Sequence, residues 1–483
     1  MLAKLKSRQP WLIILLFLSF LVWYLYRLGK FPIFADEAIY LNWAQRVAQG
    51  HENIFISVFD GKPPLFIWFS AVFSFLFSNL LFAGRLVSVL SLFIASFFIY
   101  RQLVKHSQSW AKLAVFFILA SPFIFFHSRM ALLDTLLSVF LALAILTWSN
   151  KQSKYRGLLT GVLAGLAFWS KTPALFFMPL PLLSSLILQR DKKGLIQAFI
   201  SLFTMAIFIL SLKVSIWFPY LFLRSQDFTF SLVEVFQGQI NQIFNNFKDL
   251  ISWLAFYLTW PVLILFLVGL YKGFKQKQAI IINLGLAILL LSLPIIVLGK
   301  VVAPRYYLPL GFFIPLVASY SLKNLSKELL FIIAAGFLAI TFPINYFLQI
   351  NPFIAHLPPI DERQYLEDWS SGIGIEHTSD FINRQAKDHS VKVLTEGYFG
   401  TLPDGLFVHQ NVYPRADLEI VGVGNPGSDD FKHQLETSLA ELNYYVGNHD
   451  RISDQARQSM KMVQQYDKKN AGPSLEVYLL AKP

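Results

Sequence analysis

The sequence predicts an α-helical polytopic membrane protein with a small α/β domain at its C-terminal end. Its 483 residues are 55% hydrophobic, include 48 Phe and have a mean hydropathy of +0.52. Apolar runs long enough to cross about 30 Å of hydrocarbon recur from Trp11 to Leu348. After residue 350 the composition becomes that of a soluble domain. We therefore expect a membrane domain over residues 1–350 and a soluble domain over residues 351–483.

The two predicted domains carry opposite net charge. Residues 1–350 contain 29 basic and 10 acidic residues, a net charge of +19, whereas residues 351–483 contain 12 basic and 19 acidic residues, a net charge of −7. Basic residues in excess are typical of cytoplasmic loops that face anionic lipid, so we expect membrane lipid and no nucleic acid as a partner. The absence of Cys excludes disulfide bonds, thiolate metal sites and a cysteine nucleophile.

The basic residues between the apolar runs predict the topology. Lys4, Lys6 and Arg8 precede the first run, 11–28, and place the N-terminus in the cytoplasm. If the run 65–82 does not cross, every later basic cluster also lies in the cytoplasm; if it crosses, all of them lie outside. We therefore predict that 65–82 is re-entrant or interfacial, that about eleven segments span, and that the C-terminal domain is extracytoplasmic. The clusters are Arg101, Lys105, Lys112; Lys151, Lys154, Arg156; Arg190, Lys192, Lys193; Lys272, Lys275, Lys277; and Lys323, Lys327.

Local patterns predict elements outside the spans. In the first outer loop, an amphipathic helix from about Glu37 to Gln49 is expected to lie on the membrane surface. In the soluble domain, residues 391–394 and 475–480 have strand patterns, and 379–388 and 430–441 have polar helical patterns. Strands that alternate with helices predict a small α/β fold.

The predicted topology places the charged residues that are unusual for a membrane domain on its outer face. Charge is costly in hydrocarbon, so such residues suggest a functional site. Carboxylates beside several cations suit a reaction on a lipid-borne anion, in which cations hold a phosphate and a carboxylate takes a proton. The residues are Asp36, Glu37, Lys62, Arg85, Arg129, Asp134, Lys171, Lys300 and Arg305.

Five of these residues also have a purely structural interpretation. Asp36 and Asp134 stand where each could be the N-cap of a following helix. Lys62 could extend to the interface from a helix start, and Arg305 could anchor an interfacial aromatic segment. Arg129 could simply neutralise Asp134.

Six short motifs of the membrane domain follow one another in an order that resembles a known family. They are Ala35-Asp36-Glu37-Ala38 with Tyr40, Gly61-Lys62-Pro63-Pro64-Leu65 with Trp68, Gly84-Arg85-Leu86, Arg129-Met130-Ala131-Leu132-Leu133-Asp134, Ser170-Lys171-Thr172 and Pro304-Arg305-Tyr306-Tyr307-Leu308-Pro309. In this order they resemble the GT-C membrane glycosyltransferases, in particular the group of the dolichyl-phosphate-mannose protein mannosyltransferases and the lipid A aminoarabinose transferase. The resemblance covers residues 1–348.

The resemblance implies an integral membrane transferase that takes a sugar from a polyprenyl-phosphate donor at the extracytoplasmic face. The acceptor, a protein, lipid or polysaccharide, is left open. By similarity the catalytic carboxylates are Asp36, Glu37 and Asp134. The implied donor-phosphate ligands are Lys62, Arg85, Arg129, Lys171, Arg305 and Tyr306. One departure concerns Lys171, because relatives often have Gly where this chain has Thr172.

Two questions remain open at the level of sequence. No cofactor is expected with certainty, but an acidic pair and a third acid could hold a divalent metal ion. The alternative function is a transporter or flippase of a lipid-linked saccharide, which would favour charges at mid-depth and internal repeats. A non-catalytic receptor is the other alternative.

Overall fold

The computed structural model describes residues 10–189, 192–410 and 414–481. The predicted cytoplasmic residues Lys4, Lys6, Arg8 and Arg190 lie outside these ranges. By its contacts the chain forms two compact units. The helical unit comprises Met1–Leu28, Ile54–Phe66 and Leu86–Tyr346, and the sheet unit comprises Gly29–Asn53, Ile67–Arg85 and Phe347–Pro483. Two early segments thus group with the C-terminal residues, and the domain boundary at residue 350 stays a prediction.

Helices dominate the chain up to residue 350. In order they are α1 Pro10–Leu25, α2 Ala35–Ala48, α3 Ile56–Phe59, α4 Leu65–Ser74, α5 Leu80–Leu103, α6 Gln108–Ala120, α7 Pro122–His127, α8 Leu133–Ser149, α9 Arg156–Ser170, α10 Leu180–Ser184, α11 Lys192–Ser211, α12 Tyr220–Leu223, α13 Leu232–Phe236, α14 Ile240–Leu258, α15 Trp260–Lys275, α16 Ala279–Leu298, α17 Leu310–Ser321 and α18 Lys327–Ile350.

Four helical segments within the described residues are long and apolar enough to cross a membrane. They are Leu80–Leu103, Lys192–Val214, Ala279–Leu298 and Lys327–Ile350. A fifth arises if α14 and α15, bent by 106° at their junction, are counted as one span. Shorter apolar helices include α6, α8 and α17. The protein is a multi-pass membrane protein, and the number of about eleven spans stays a prediction.

The run predicted to be re-entrant or interfacial is divided in the structure. Its first part is α4, which has ten residues and a length of about 15 Å at 1.5 Å per residue. This is about half of the 30 Å of hydrocarbon, so α4 by itself is too short to cross. The end of the run belongs to α5, which begins at Leu80.

Close packing of α9 on α11 depends on three glycines spaced four residues apart. A side-chain carbon at Gly157 would lie 2.3 Å from the carbonyl oxygen of Gln197, and one at Gly161 would lie 2.6 Å from that of Ser201. At Gly165 it would lie 2.4 Å from the ring of Phe208. Small residues at this spacing let helices approach closely, the usual way to pack helices in lipid.

The predicted C-terminal α/β fold is confirmed. Its strands are β1 Val391–Glu396, β2 Leu418–Val423, β3 Leu442–Asn448, β4 Lys461–Tyr466 and β5 Leu475–Leu480, and its helices are α19 Pro359–Glu362, α20 Ile375–Gln385, α21 Asp404–His409, α22 Asp429–Glu436 and α23 Asp454–Ser459. The strand order is β2-β1-β3-β5-β4, parallel from β2 to β3 and antiparallel beyond. β1 is buried along its whole length, as expected of a strand covered on both faces.

Candidate functional site

In the sheet unit, Asp36 lies in the first turn of α2. The helix begins at Ala35 and its N-cap residue is Phe34, so Asp36 is the second helical residue and the N-cap interpretation is wrong. A carboxylate in this turn is stabilised by the positive end of the helix dipole. The side chain of Asp36 is half-buried.

Glu37, next to Asp36, forms a fully buried ion pair with Arg85. Nε and Nη2 of Arg85 each donate to one carboxylate oxygen at 2.8 Å, and both side chains are 0% exposed. Arg85 also donates to the carbonyls of Phe31 at 2.9 Å and Pro32 at 3.1 Å, and Glu37 accepts from the backbone N–H of Phe34 at 3.0 Å. The pair therefore fixes the backbone that leads into α2. These contacts favour a positioning role over the predicted catalytic and phosphate-binding roles.

Two polar side chains of α2 bind residues of the C-terminal fold. Asn42 is buried and donates to Asp404 in α21 at 2.5 Å, and Gln45 donates to the carbonyl of Gln410 at 3.4 Å. Asp404 also accepts from the backbone N–H of Gly400 at 2.6 Å, and burial raises its pKa. These two polar groups therefore have tertiary partners, and the placement of α2 on a membrane surface stays a prediction.

In the helical unit, Asp134 and Lys171 form the second ion pair of predicted site residues. Asp134 is the second residue of α8, whose N-cap residue is Leu132, so the N-cap interpretation is wrong here as well. Lys171 follows the last residue of α9, and its Nζ lies 2.6 Å from Oδ1 of Asp134. Lys171, not Arg129, is thus the ion-pair partner of Asp134 within the described chain. The side chains of Asp134 and Lys171 are 5% and 18% exposed.

Tyr306 connects this pair to Arg305. The Nζ of Lys171 lies 4.5 Å from the centre of the Tyr306 ring, and the guanidinium carbon of Arg305 lies 5.5 Å from it. Both cations gain from the negative face of the ring. A 3₁₀ turn, Pro304–Tyr307, carries Arg305, which is 7% exposed. Four predicted residues from three sequence motifs are thus brought together, which we call the Tyr306 cluster: Asp134, Lys171, Arg305 and Tyr306.

Arg129 binds the C-terminal end of α1 and the residue that follows it. Its Nε donates to the carbonyl of Tyr24 at 3.0 Å and its Nη2 to that of Tyr26 at 2.9 Å, while its guanidinium lies 4.8 Å from the ring of Phe125. Arg129 therefore fixes the end of the first helix whatever further role it has.

Lys62 belongs to a different set of residues in the helical unit. Its Nζ lies 3.6 Å from Asp60 and 5.2 Å from the ring of Phe228. Arg224 binds the other oxygen of Asp60 at 2.8 Å. Sequence reasoning missed both Asp60 and Arg224. The turn Asp60-Gly61-Lys62, with Gly61 at φ +74°, was a usable signal for Asp60, whereas nothing local marks Arg224.

Among the described residues, no group of three or more His, Asp or Glu side chains is gathered as a metal site would require. The predicted site residues instead form carboxylate–cation pairs and cation–aromatic contacts. A divalent metal ion stays a prediction.

Comparisons with known proteins bear on the fold and on one part of the chain. The sequence model of the family described as dolichyl-phosphate-mannose-protein mannosyltransferase matches residues 61–217. No curated protein sequence matches the chain.

Solved structures resemble the protein over nearly its whole length. ArnT from Cupriavidus metallidurans in the apo state covers 97% of this chain and 97% of its own, with a TM-score of 0.66 and 13% identity. ArnT bound to undecaprenyl phosphate covers 98% of both chains, with a TM-score of 0.64 and 12% identity. The arabinofuranosyltransferase AftD from Mycobacteria covers 99% of this chain and 40% of its own, with a TM-score of 0.51 and 13% identity.

The family match and the shared fold confirm the predicted resemblance. The protein is a multi-pass membrane protein with the fold of the GT-C glycosyltransferases. The ArnT-like fold includes both the helical part and the small C-terminal sheet.

Proposed function

We propose that the protein is a glycosyltransferase that moves a sugar from a polyprenyl-phosphate donor to an acceptor at the extracytoplasmic face. The observation that carries this proposal is the Tyr306 cluster, in which two cations lie against one aromatic ring and one of them is paired with a carboxylate. Undecaprenyl phosphate, a polyprenyl phosphate, is bound by ArnT, which has the same fold, and this supports the choice of donor.

The Tyr306 cluster is suited to hold the phosphate that leaves the sugar. As the bond between sugar and phosphate breaks, negative charge grows on the phosphate oxygens, and each well-placed donor there lowers the barrier by about 3–4 kcal/mol. Lys171 can supply an ammonium and Arg305 a planar guanidinium that binds phosphate through two hydrogen bonds. Asp134 keeps the largely buried Lys171 paired while no donor is bound.

The proposed chemistry is a single displacement with inversion at the anomeric carbon. A hydroxyl or similar group of the acceptor attacks that carbon, the bond to the phosphate oxygen breaks, and Asp36 takes the proton of the attacking group. Help from a general base contributes about 10² to 10⁴ in rate. A phosphate leaves as an anion, so no acid is needed to protonate it, unlike the sugar oxygen released by a glycosidase. The buried pair of Glu37 and Arg85 positions Asp36 by fixing the start of α2.

The test of catalysis is sugar transfer by purified protein in lipid nanodiscs. Asp36→Asn is expected to abolish transfer from a radiolabelled undecaprenyl-phosphate sugar, and Arg305→Met is expected to weaken donor binding. A matched control is Asp227→Asn, because this carboxylate is 51% exposed and pairs with Arg224. Transfer by Asp36→Asn at the wild-type rate would rule out Asp36 as the base. Movement of the lipid-linked sugar across the bilayer without transfer would favour the flippase alternative.

The topology can be tested separately because the chain has no cysteine of its own. A cysteine in place of Lys105, which is exposed, is expected to react with an impermeant reagent only from the cytoplasmic side. A cysteine in place of Leu439, which is 96% exposed in the C-terminal fold, is expected to react only from outside. The reverse pattern would overturn the predicted orientation.

A further inference from the structure

The sheet of the C-terminal fold has a topological switch point between β1 and β3. From β1 the chain passes through α21 to β2 on one side, and from β2 it returns through α22 to β3 on the other side. In open sheets with parallel strands, ligands bind in the crevice that such a reversal opens outside the carboxyl ends of the strands. Glu396 is the last residue of β1 and Asn448 the last of β3, so both lie at this edge.

Three buried polar side chains meet at this edge. Both oxygens of Glu396 accept hydrogen bonds at 2.6 Å from Asn448, one from its backbone N–H and one from its side-chain amide. Lys468 donates to the side-chain oxygen of Asn448 at 2.6 Å and to the carbonyl of Asp368 at 2.8 Å. Glu396, Asn448 and Lys468 are 7%, 1% and 5% exposed. Burial raises the pKa of Glu396 and lowers that of Lys468 to about 8.

Exposed aromatic side chains lie in segments that flank these buried groups in the chain. In the loop after β1, Tyr398 is 66% exposed and Phe399 is 70% exposed. A side-chain carbon added at Gly400, in the same loop, would lie 3.5 Å from the ring of Trp369, which is itself 37% exposed. Arg451, in the loop after β3, lies 4.8 Å from that ring. Large exposed apolar side chains rimmed by polar ones mark a binding surface.

The helix start at this edge is not available to an anion. The start of α22, where an anion would be favoured, is already occupied by Asp430. Its carboxylate accepts hydrogen bonds from the N–H of Gly424 at 2.8 Å, the hydroxyl of Ser428 at 2.5 Å and the hydroxyl of Tyr398 at 2.6 Å. These bonds hold its pKa well below the usual range, so the edge keeps a negative charge. The start of α22 is therefore closed to a phosphate.

We propose that the crevice between the carboxyl ends of β1 and β3 binds a neutral saccharide. Aromatic rings at its rim offer flat apolar faces to the CH groups of a sugar ring, and the exposed guanidinium of Arg451 beside Trp369 can donate hydrogen bonds to hydroxyls. The choice of a saccharide rests on the proposed function, because a glycosyltransferase meets sugar on its donor and on its product. The site would hold a glycan in the C-terminal fold and requires no chemistry there.

The test measures saccharide binding in the absence of any lipid-linked donor. Full-length protein in nanodiscs is mixed with cello-, malto- and manno-oligosaccharides, and bound sugars are detected by saturation-transfer NMR. The variants Trp369→Ala and Phe399→Ala are expected to weaken binding at least about tenfold, the scale of 1.4 kcal/mol. The matched control is Leu439→Ala, because Leu439 is 96% exposed but precedes β3 and so belongs to the opposite edge. The variants are expected to retain the wild-type melting temperature, and Phe399 is exposed enough to be changed without loss of core packing.

Binding that both aromatic variants retain would overturn the proposal. The proposal would also be overturned if the protein bound uronic-acid oligosaccharides but no neutral ones. Binding to anionic lipid vesicles that is lost in the Trp369→Ala and Phe399→Ala variants would overturn it as well. A protein that binds neutral saccharide through Trp369 and Phe399 but transfers no sugar would overturn the proposed function and leave this site standing. A protein that transfers sugar but binds no saccharide at these residues would overturn the saccharide site and leave the proposed function standing.

Discussion

Two carboxylate–cation pairs, one in each unit, show how similar sequence signals serve different purposes. Glu37 and Asp134 both lie in the first turn of a helix, and each pairs with a cation from a distant segment. The Glu37–Arg85 pair is 0% exposed and bidentate, and its guanidinium also binds two backbone carbonyls. The Asp134–Lys171 pair has one contact, is partly exposed, and shares an aromatic ring with Arg305.

The two pairs differ in whether a ligand could bind the cation in place of its present partners. Arg85 is bound to the backbone that it orders, so a ligand could reach it only by dismantling the start of α2. Lys171 has a single carboxylate oxygen as its charged partner and retains donors for a phosphate. The first pair is therefore suited to position a neighbouring residue, and the second is suited to bind.

The largest expected effect comes from breaking the buried pair. Arg85→Met leaves the charge of Glu37 buried without its cation, which is expected to reduce the free energy of unfolding by about 3–5 kcal/mol. Chemical denaturation of the detergent-solubilised protein measures this. Adding Glu37→Gln is expected to recover part of the loss, because no charge then remains buried. A single variant within about 1 kcal/mol of wild type, the scale of an exposed pair, would contradict the positioning role.

The pair in the Tyr306 cluster is expected to affect transfer more than stability. Lys171→Met should lower the transfer rate about 10² to 10³-fold, the effect of losing one donor to a developing oxyanion. The double variant Asp134→Asn with Lys171→Met should restore the melting temperature but not the activity, since it removes the unpaired acid without returning a phosphate ligand. If the double variant also recovers transfer, Lys171 is not a phosphate ligand, and the pair of Asp134 and Lys171 has only a positioning role, like the pair of Glu37 and Arg85.

Lys468 differs from the cations of both pairs, because it is buried and its hydrogen-bond partners are neutral. The pKa of Lys468 is lowered by burial from 10.5 to about 8, so between these pH values the folded protein binds fewer protons than the unfolded chain. Stability of the C-terminal fold is therefore expected to rise with pH from about 8 to 10.5, by up to about 3 kcal/mol at 1.4 kcal/mol per pKa unit. The charged groups near it are Glu396, Asp450, Asp368 and Arg451.

Hydrogen exchange of amides in β3 and β5, measured across this pH range against the intrinsic rates, detects the change. Lys468→Met is expected to remove the pH slope. A slope that persists unchanged in this variant would assign it to another group.

The smallest effect is expected from an exposed ion pair in the same unit as Glu37 and Arg85. Lys30 lies 2.9 Å from Glu376, but the two side chains are 60% and 44% exposed. Glu376→Gln is expected to change the free energy of unfolding by less than about 1 kcal/mol, and less still at high salt. A loss comparable to that of Arg85→Met would mean that burial does not explain the difference between the pairs.

Local elements were predicted well from the sequence. The helix expected from about Glu37 begins at Ala35, and the strands expected to start at Val391 and Leu475 do so. Apolar periodicity and turn residues act within a few positions of one another, so these features can be recognised without the fold. The predicted helix over 430–441 extends only over Asp429–Glu436. The ends of helices are harder to predict than their existence, because they depend on weaker local preferences.

Partners could not be predicted in the same way. Sequence reasoning selected Asp134, Lys171, Arg305 and Tyr306 but did not pair them, and it named no partner for Asn42. Glu37 and Arg85 are 48 residues apart, and Asn42 and Asp404 are 362 apart. Nothing local distinguishes a polar side chain that meets water from one that meets such a distant partner.

By itself the sequence determined the class of protein, its small C-terminal α/β fold and the set of charged residues worth examining. These follow from hydrophobic runs, alternation and charge, which are properties of neighbouring residues. Only the tertiary structure decided that Arg85 is buried against Glu37 while Lys171 shares the Tyr306 ring with Arg305. The reason is physical: the role of a charge depends on its burial and on the groups around it, and both are set by segments far away along the chain.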